Sequence, residues 1–310
     1  MRPLLAIFVL SLACVSRPSG AEPDVLANFS IEEIAPGNHV HRGSLDERSP
    51  DNLGDQANIG FIVGNRCVAV IDPGGALPVG QALRAAVRRV TDKPVCYVIL
   101  THTHPDHFFG AAAFRQDGAI VVGHQNLPRA LAQRGRPYLN SLERDLGTAA
   151  AGTEVVPPTL LVTDETILDL GGRNIVLHAW PPAHTDNDLT VFDTATGTLW
   201  LGDLLFAEHT PVVDGTITGF LGVLDLLARL DVRQFVPGHG RTGLPWPEAL
   251  QPQREYLQLI VRETRAAIKA RRTIEEAVDT VGLTEASKWV AFDRFHRRNV
   301  TAAYAELEWE

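Results

Sequence analysis

A run of six residues with the pattern His-x-His-x-Asp-His begins one residue after the apolar stretch 98–100. Its metal-binding side chains are His102, His104, Asp106 and His107. Histidines two positions apart on an extended segment point to the same side, while the aspartate and histidine that follow can turn toward a second point nearby. The spacing therefore indicates two adjacent metal ions rather than one.

Three more candidate ligands stand further along the chain, each at the end of an apolar run flanked by proline or glycine. They are His184, Asp203 and His239. We expect each of them to lie in a loop at the end of a strand. Imidazole and carboxylate donors without thiolate suit Zn²⁺, whereas Mn²⁺ and Fe²⁺ fit a histidine-rich set less well. Open coordination positions would make such a site catalytic rather than structural.

The order of these motifs is similar to that of the metallo-β-lactamase superfamily of binuclear metallohydrolases, over about residues 58–240. Asp72, in the stretch 71–75, also resembles the first motif of that superfamily, in which the aspartate is not usually a ligand. The resemblance implies two Zn²⁺ ions per chain. It assigns the first zinc to His102, His104 and His184, the second zinc to Asp106, His107 and His239, and the bridging position to Asp203.

The residue types at positions 108, 109 and 203 narrow the resemblance. The β-lactamases of this superfamily usually have Cys or Ser at the position of Asp203, so the chain resembles glyoxalase II, the lactonases and the alkylsulfatase or phosphodiesterase branches more. Phe108 and Phe109 depart from the Gly-Gly of glyoxalase II. Stretches 52–54, 57–64, 101–110 and 211–215 resemble the exported quinoprotein relay system zinc metallohydrolases. That resemblance implies a functional link to a periplasmic quinoprotein dehydrogenase.

The same resemblance makes 52–54 and 214–215 candidate loops over the metals, although both stretches are also rich in ordinary turn residues. We leave these alternatives open at the level of sequence.

The first 21 residues have the organisation of a secretory signal peptide. Arg2 is followed by the apolar stretch 4–13 and by small residues at 19–21. The apolar stretch is too short for a permanent membrane span. Residues 11–14 match a lipoprotein cleavage box poorly, so lipidation is the weaker alternative. We expect a periplasmic or secreted protein that begins near Glu22.

Charge and cysteine content limit the partners and the covalent structure. The whole chain has a net charge of −9, and cleavage of the signal peptide would remove Arg2 and Arg17 but no acid. Such a surface is not expected to bind nucleic acid. Cys67 and Cys96 would be the cysteines that remain, in successive apolar runs. We expect buried free thiols, with a disulfide as the alternative in an oxidising compartment.

Apolar runs and helical periodicity alternate along the chain and predict an α/β fold. Strands are predicted at 60–63, 68–71, 96–100, 119–122, 160–162, 167–170, 174–178, 189–192, 198–201 and 234–236, and helices at 77–90, 107–114, 126–146, 220–230, 247–271, 273–281 and 285–310. His39 and His41 precede the first of these strands. The pattern fits a four-layer αββα sandwich of the metallo-β-lactamase type with a C-terminal helical extension.

We predict a hydrolase domain over residues 22–245 and a helical extension over 246–310 that packs on the same domain as a covering layer. A partner-binding surface is the alternative for the extension.

The donor set predicts a metal-bridging hydroxide as the nucleophile, oriented by Asp106 as the catalytic residue. The sequence contains no G-x-S-x-G motif, the pattern that would indicate a serine nucleophile. His209, shortly after Asp203, is the histidine that we expect near the substrate. The predicted substrate is a small ester, lactone or thioester. Hydrolysis of β-lactams and a non-enzymatic, zinc-dependent accessory role are the alternatives.

Overall fold

Two β-sheets form the centre of the fold in the computed structural model, which describes residues 29–310. The predicted signal peptide lies outside the described residues. The first sheet follows the order of the chain: β1 (Glu32–Ala35), β2 (Asn38–His41), β3 (Ile59–Val63), β4 (Val68–Ile71), β5 (Val95–Ile99), β6 (Ile120–His124) and β7 (Leu160–Val162). Strands β1 to β4 pair antiparallel and β4 to β7 pair parallel. The carboxyl ends of β4 and β5 therefore meet at the same edge.

The second sheet has the spatial order β12-β11-β10-β9-β8. Its strands are β8 (Glu165–Asp169), β9 (Asn174–Ala179), β10 (Leu189–Asp193), β11 (Thr198–Phe206) and β12 (Gln234–His239). Strands β11 and β12 pair parallel, with Phe206 opposite His239, and the other pairs are antiparallel. This register brings the ends of β11 and β12 together.

Helices cover the outer faces of both sheets. The α-helices within residues 29–310 are α1 (Leu77–Val90), α2 (Pro105–Phe108), α3 (Leu127–Leu146), α4 (Ile217–Leu227), α5 (Gln251–Lys269), α6 (Ile274–Val278) and α7 (Phe292–Leu307). One apolar core joins α1 and α3 to the first sheet, and another joins α4, α5 and α7 to the second sheet. A third core, which includes Ile71, Ile99 and Trp200, lies between the sheets. The predicted four-layer αββα sandwich with C-terminal helices is confirmed.

Helix α1 shows why the sequence predicts these elements well. Val79, Leu83, Ala86 and Val87 are buried at a spacing of three or four residues, which places them on one face of a helix. A proline occupies the first turn, where a missing N–H costs no intrahelical hydrogen bond. The helix has the predicted bounds, 77–90.

Several predicted elements differ from the structure at their ends. Strands β1 and β2 were not expected, and His39 and His41 lie on β2 rather than before the first strand. The predicted helix 107–114 is the short α2 followed by a 3₁₀ helix, Phe109–Asp117. The predicted last helix, 285–310, is wrong at its start, because α7 begins at Phe292 after Ala291 adopts a left-handed φ of 59°.

Asp203 lies inside β11 and not in a loop at a strand end. The pairing of β11 with β12 shifts register on both sides of Gly202, which has a φ of 50°. A positive φ is open to glycine at little cost. The irregularity lets β11 continue to Phe206 instead of ending near Leu201.

Cys67 and Cys96 form a disulfide, so the expected free thiols are wrong. Cys67 directly precedes β4 and Cys96 lies on β5. The parallel pairing of these strands sets Val68 opposite Val95 and brings the two cysteine Cα atoms to 5.8 Å. That separation is within the range that a disulfide spans.

The C-terminal helices pack against the second sheet. Tyr256, Leu257 and Ile260 of α5 and Val300 of α7 are fully buried in the same core as Phe235 of β12. No helix within residues 29–310 combines the length and the apolar character needed to cross a membrane.

Candidate metal centre

The first sheet contributes the candidate ligands that follow β5. His102 lies three residues after this strand, and His104 directly precedes α2. Helix α2 then carries Asp106 and His107 in its single turn. Asp72 follows the neighbouring strand β4, so it reaches the same edge of the sheet as His102.

The second sheet contributes the remaining candidate ligands. His184 lies in the connection between β9 and β10, Asp203 within β11, and His239 at the end of β12. Gly238 directly precedes His239, and a Cβ atom at that position would lie 2.0 Å from Asp203 Oδ1. Glycine is therefore required where β12 passes the Asp203 carboxylate.

The ligand atoms of the seven candidate residues converge in two clusters, each with its atoms within 4.8 Å of one another. The first cluster contains His102, His104, His184 and Asp203, and the second contains Asp106, His107 and His239.

Asp203 directs one carboxylate oxygen toward each cluster. Its Oδ2 lies 3.5 Å from His102 Nε2 and 3.4 Å from His184 Nε2. Its Oδ1 lies 3.1 Å from His107 Nε2 and 3.2 Å from His239 Nε2. The carboxylate therefore stands between the two clusters, where it could bridge two cations.

Asp106 completes the second cluster from the side of α2. Its Oδ2 lies 3.3 Å from His239 Nε2 and 3.6 Å from His107 Nε2. Its side chain is 19% exposed, whereas that of Asp203 is 3% exposed. Asp106 is thus the carboxylate of the centre that solvent and a substrate can reach.

Hydrogen bonds on the outside of the first cluster fix two imidazole rings. His104 Nε2 donates to Asp214 Oδ2 at 2.8 Å, and His184 Nδ1 donates to the carbonyl oxygen of Val212 at 2.7 Å. His104 Nδ1 and His184 Nε2 then face each other at 2.8 Å. Because both outer nitrogens carry the protons, the two facing nitrogens present lone pairs, and a cation between them would relieve their repulsion.

Asp72 organises the second cluster without being part of it. It accepts hydrogen bonds from the backbone N–H and the hydroxyl of Thr101, both at 2.8 Å, and from His107 Nδ1 at 2.7 Å. The Thr101 hydroxyl oxygen in turn accepts from His102 Nδ1 at 2.9 Å. The Nε2 atoms of His102 and His107 are therefore left as inward acceptors.

The inward atoms fit a metal ion. His102 Nε2, His107 Nε2 and Asp203 Oδ1 are buried and have no hydrogen-bond partner among residues 29–310. His239 Nδ1 donates to the carbonyl oxygen of Gln56 at 3.1 Å, which leaves its Nε2 facing the second cluster. Buried polar atoms normally find partners, and nitrogen and carboxylate oxygen donors are the ligands of catalytic zinc.

The protonation states of His102, His184 and Asp203 agree with metal binding. Burial lowers the pKa of the His102 imidazole well below its usual value and lowers the pKa of His184 to about 3, so both are neutral. Burial opposes ionisation of Asp203, but His239, His107 and His102 hold its pKa well below its usual value. Neutral imidazoles and an ionised carboxylate are the forms that bind metal. At His107 and His239, by contrast, burial opposes protonation but Asp203 and Asp106 raise the pKa above the usual value, so a bound metal would replace a proton on each of these rings.

A cleft of about 230 Å³ opens beside the two clusters, and its lining includes His104, Asp106, Asp203 and His239. His209, the histidine that we expect near the substrate, lines the same cleft. Its Nδ1 donates to the carbonyl oxygen of Thr210 at 2.8 Å, which leaves Nε2 as an acceptor. Burial, followed by the nearby His239, lowers the pKa of His209 to about 4, so this ring is neutral.

The structure brings together all seven predicted ligands, together with Asp72. The two predicted loops differ in what they do. Asn52 forms a turn, because its Oδ1 accepts from the N–H groups of Ser49 and Gly54 at 3.0 Å, and Gly54 lines the cleft. Asp214 instead binds His104 from behind.

Two features of the site were not predicted. The role of Asp214 lacked a signal, because nothing in the spacing relates it to His104. The arginines of the cleft wall, Arg48, Arg294 and Arg298, also lie far from the motifs in sequence.

The sequence model of the metallo-β-lactamase superfamily matches residues 53–239, which include both clusters. The chain belongs to this superfamily. Members of the superfamily are mostly metal-dependent hydrolases and typically bind zinc. The predicted resemblance to the superfamily is thus confirmed.

Solved structures show the same fold at low sequence identity. A metallo-β-lactamase from Pontibacter korlensis has a TM-score of 0.60 and 18% identity, over 74% of this chain and 98% of that one. A stereoselective inverting sec-alkylsulfatase from a Pseudomonas species has a TM-score of 0.70 and 15% identity, over 90% of this chain and 50% of that one. A metallo-β-lactamase from Pseudomonas aeruginosa, in its mono-zinc form, has a TM-score of 0.58 and 17% identity, over 74% and 94%.

No curated protein sequence matches the chain at a significant level. The superfamily match and the structural neighbours therefore give the family and the fold, and the substrate must be argued from the site.

Proposed function

We propose that the protein is an exported hydrolase that uses two Zn²⁺ ions to cleave a small ester, lactone or thioester. The observation that carries the proposal is the Asp203 carboxylate, whose two oxygens lie 3.1 Å to 3.5 Å from histidine nitrogens of both clusters. His102, His104 and His184 would hold the first ion, and Asp106, His107 and His239 the second. A purely structural zinc site would need four ligands in a closed shell, and this set exceeds that number.

The residues of the cleft supply the rest of the chemistry. Bound zinc would lower the pKa of water to about 7 and polarise the scissile carbonyl group. Burial opposes ionisation of Asp106, but His107 and His239 hold its pKa below the usual value, so the carboxylate is ionised. It can orient an attacking water and accept its hydrogen bond. The neutral His209 offers Nε2 as an acceptor for a polar group of the substrate.

Two considerations support the choice of substrate, and a third supports export. An aspartate at position 203, where the β-lactamases of the superfamily usually have Cys or Ser, favours the esterase and lactonase branches. The cleft of about 230 Å³ suits a small molecule. The disulfide between Cys67 and Cys96 fits an exported protein, because disulfides persist in oxidising compartments.

We include in the proposal a link to a periplasmic quinoprotein dehydrogenase. Its support is the resemblance of stretches 52–54, 57–64, 101–110 and 211–215 to the quinoprotein relay system hydrolases.

The proposal is tested by assaying the zinc-loaded mature protein against a lactone, a thioester, an activated ester and a cephalosporin. We expect turnover of the lactone, the thioester or the activated ester to exceed turnover of the cephalosporin. Asp106→Asn should abolish this turnover. A kcat/KM for cephalosporins of about 10⁴ M⁻¹s⁻¹ or more would instead establish β-lactam hydrolysis. If deletion of the gene abolishes a quinoprotein dehydrogenase activity and the Asp106→Asn variant restores that activity, the result would indicate a non-enzymatic accessory role.

A further inference from the structure

One face of α7 forms a wall of the candidate active-site cleft. Arg294, Phe295 and Arg298 of this helix line the cleft, as does Ala291 directly before it. The spacing of Arg294 and Phe295 from Arg298, four and three residues, places the three side chains in one stripe along the helix. The stripe lies beyond residues 53–239, the part of the chain that the superfamily model matches. The C-terminal helical extension is therefore more than a covering layer, because it contributes side chains to the cleft.

Helix α7 is held firmly beside the segment that follows β11. Asn299 Nδ2 donates to the carbonyl oxygen of Pro211 at 2.6 Å, and the Val213 N–H donates to Asn299 Oδ1 at 3.0 Å. Just before the helix, the Thr210 N–H donates to the carbonyl oxygen of Val290 at 3.0 Å. These bonds fix the position of the stripe relative to His209 and the metal clusters. A fixed wall can contribute binding energy without being ordered first.

The arginines of the cleft wall retain unused donors. Arg294 approaches Glu47 to 3.3 Å and lies over the ring of Phe295 at 5.2 Å, and its guanidinium makes no hydrogen bond within the described part of the chain. Arg48 binds Asp145 and Ser141 through Nε and Nη2, which leaves Nη1 free among residues 29–310.

Among the residues that line the cleft, the arginines outnumber the acids by one once the candidate ligands are set aside, and each arginine is paired with a carboxylate: Arg48 with Asp145, Arg294 with Glu47 and Arg298 with Asp214. Arg48, Arg294 and Arg298 line the cleft, against Asp46 and Glu47. A solvated guanidinium fork beside a concave surface is suited to bind a planar oxyanion through two parallel hydrogen bonds.

We propose that the arginine wall, defined as Arg48, Arg294 and Arg298, binds a carboxylate group of the substrate. This inference rests on the proposed hydrolase function. The substrate class then narrows to small esters, lactones or thioesters that carry a carboxylate away from the bond that is cleaved. Phe295 beside Arg294 provides an apolar surface for the carbon chain between the two groups.

The inference is tested with a matched series of p-nitrophenyl esters: the glutarate half-ester, the neutral pentanoate of the same chain length, and the 4-sulfobutanoate. The zinc-loaded wild-type protein is compared with Arg294→Gln and Arg48→Gln. Arg297→Gln is the control, because Arg297 lies on the same helix but pairs with Asp279 at the surface. Arg298 is left intact, because it also pairs with Asp214 behind His104.

We expect each cleft variant to raise KM for the glutarate half-ester about 10-fold, with kcat little changed. The pentanoate and the control variant should show no such change. Equal kcat/KM values for the half-ester and the pentanoate would overturn the inference, and preference for the sulfobutanoate would overturn the choice of a carboxylate.

A binding experiment separates this inference from the proposed function. Calorimetric titration of the zinc-loaded protein with glutarate should give a Kd that Arg294→Gln weakens about 10-fold and Arg297→Gln leaves unchanged. If no ester is hydrolysed but this difference is found, the arginine wall stands and the proposed reaction fails. If the esters are hydrolysed but glutarate binds wild type and both cleft variants equally, the reaction stands and the arginine wall fails.

Discussion

Two carboxylates, Asp72 and Asp214, stand behind the candidate zinc ligands rather than among them. Asp72 accepts a hydrogen bond from His107 Nδ1 at 2.7 Å, and Asp214 accepts one from His104 Nε2 at 2.8 Å. A carboxylate in this position selects the tautomer that points a lone pair at the metal and holds the ring in place. At the scale of single residues, the candidate centre therefore consists of candidate ligands and of the groups that orient them.

Asp203→Asn should weaken zinc binding at one of the two metal sites more than at the other. The amide cannot offer an anionic oxygen to each cluster, so we expect the weaker site to lose at least about 10-fold in zinc affinity. Ester hydrolysis should fall with it, while the circular dichroism spectrum stays unchanged. Metal analysis after dialysis against graded zinc gives the affinities. Asp279→Asn, at an exposed ion pair, is the control. Unchanged binding at both sites would remove Asp203 from the bridging position.

Asp214→Asn should weaken zinc binding without removing a ligand. The amide can still accept a hydrogen bond from His104 Nε2, but it lacks the negative charge that strengthens the imidazole as a donor to metal. We expect a loss of about 10-fold to 100-fold in affinity at the first site. Competition with a chromogenic chelator measures it. An affinity equal to wild type would mean that Asp214 holds the loop and has no effect on the metal.

At the scale of elements, an ion pair ties the two sheets together. Arg173, directly before β9, binds Asp193 at the end of β10 through Nε and Nη2. The same guanidinium donates to the carbonyl oxygens of Val63 and Pro36, both at 2.8 Å, and Asn38 donates to Asp193 Oδ2. The unpredicted strand β2 is thereby attached to the second sheet. Asp193 is fully buried, so the pair is insulated from solvent.

Arg173→Met should lower the free energy of unfolding by about 3 kcal/mol, because it leaves the Asp193 carboxylate buried without its partner. Urea denaturation measures the loss. Arg66→Met is the matched control, since Arg66 forms an exposed pair with Asp169 and should change stability by about 0.5 kcal/mol or less. Equal effects of the two variants would contradict the role of Arg173.

The contribution of this pair should also depend on pH. Burial opposes ionisation of Asp193, but Arg173, Thr196 and Asn38 outweigh it and lower the pKa below the usual value. The stabilisation is thus fully present above the unfolded pKa of about 4 and is lost as pH falls through the lower folded value. The difference between wild type and Arg173→Met should therefore shrink in acid. A difference that stays constant down to pH 2 would contradict this.

The disulfide joins β4 to β5 and closes a loop with a sequence separation of 29 residues. Replacing both cysteines with alanine should cost about 3 kcal/mol of stability through the larger entropy of the unfolded chain. We expect the mature protein, unfolded without reductant, to show no thiol that reacts with an alkylating reagent. Two reactive thiols would contradict both the bond and the proposed compartment.

At the scale of the whole molecule, much of the sandwich could be predicted from apolar runs between glycine and proline. The bounds of α1 agree with the sequence because its helical periodicity is complete, and those of β7 agree because a short apolar run lies between two threonines, Thr159 and Thr163. Strands β1 and β2 could not be predicted, since the stretch 32–41 is polar and its burial depends on Arg173 and Asp193 from another sheet. Cys67 and Cys96 were assigned wrongly because parallel register is not visible in sequence.

The candidate site also contains residues that the sequence predicts and residues that it does not. The ligands could be named because His102 to His107 lie in one short run and the others follow in a recognisable order. The role of Asp214 behind His104 and the place of Arg294 in the cleft wall could not be predicted. Both depend on how α7 and the segment after β11 lie beside the clusters. Long-range packing decides those contacts, and a single sequence does not report it.

The binuclear centre is the central claim, and the number of metal ions per chain tests it most directly. The protein, expressed from Glu22 onward, is loaded with zinc and passed through a desalting column. Its zinc content is then measured by inductively coupled plasma mass spectrometry against its amino-acid content. We predict two zinc ions per chain, because the seven ligands exceed what one tetrahedral ion uses and Asp203 faces both clusters. A value of one ion per chain that stays at one when more zinc is added would contradict the binuclear centre.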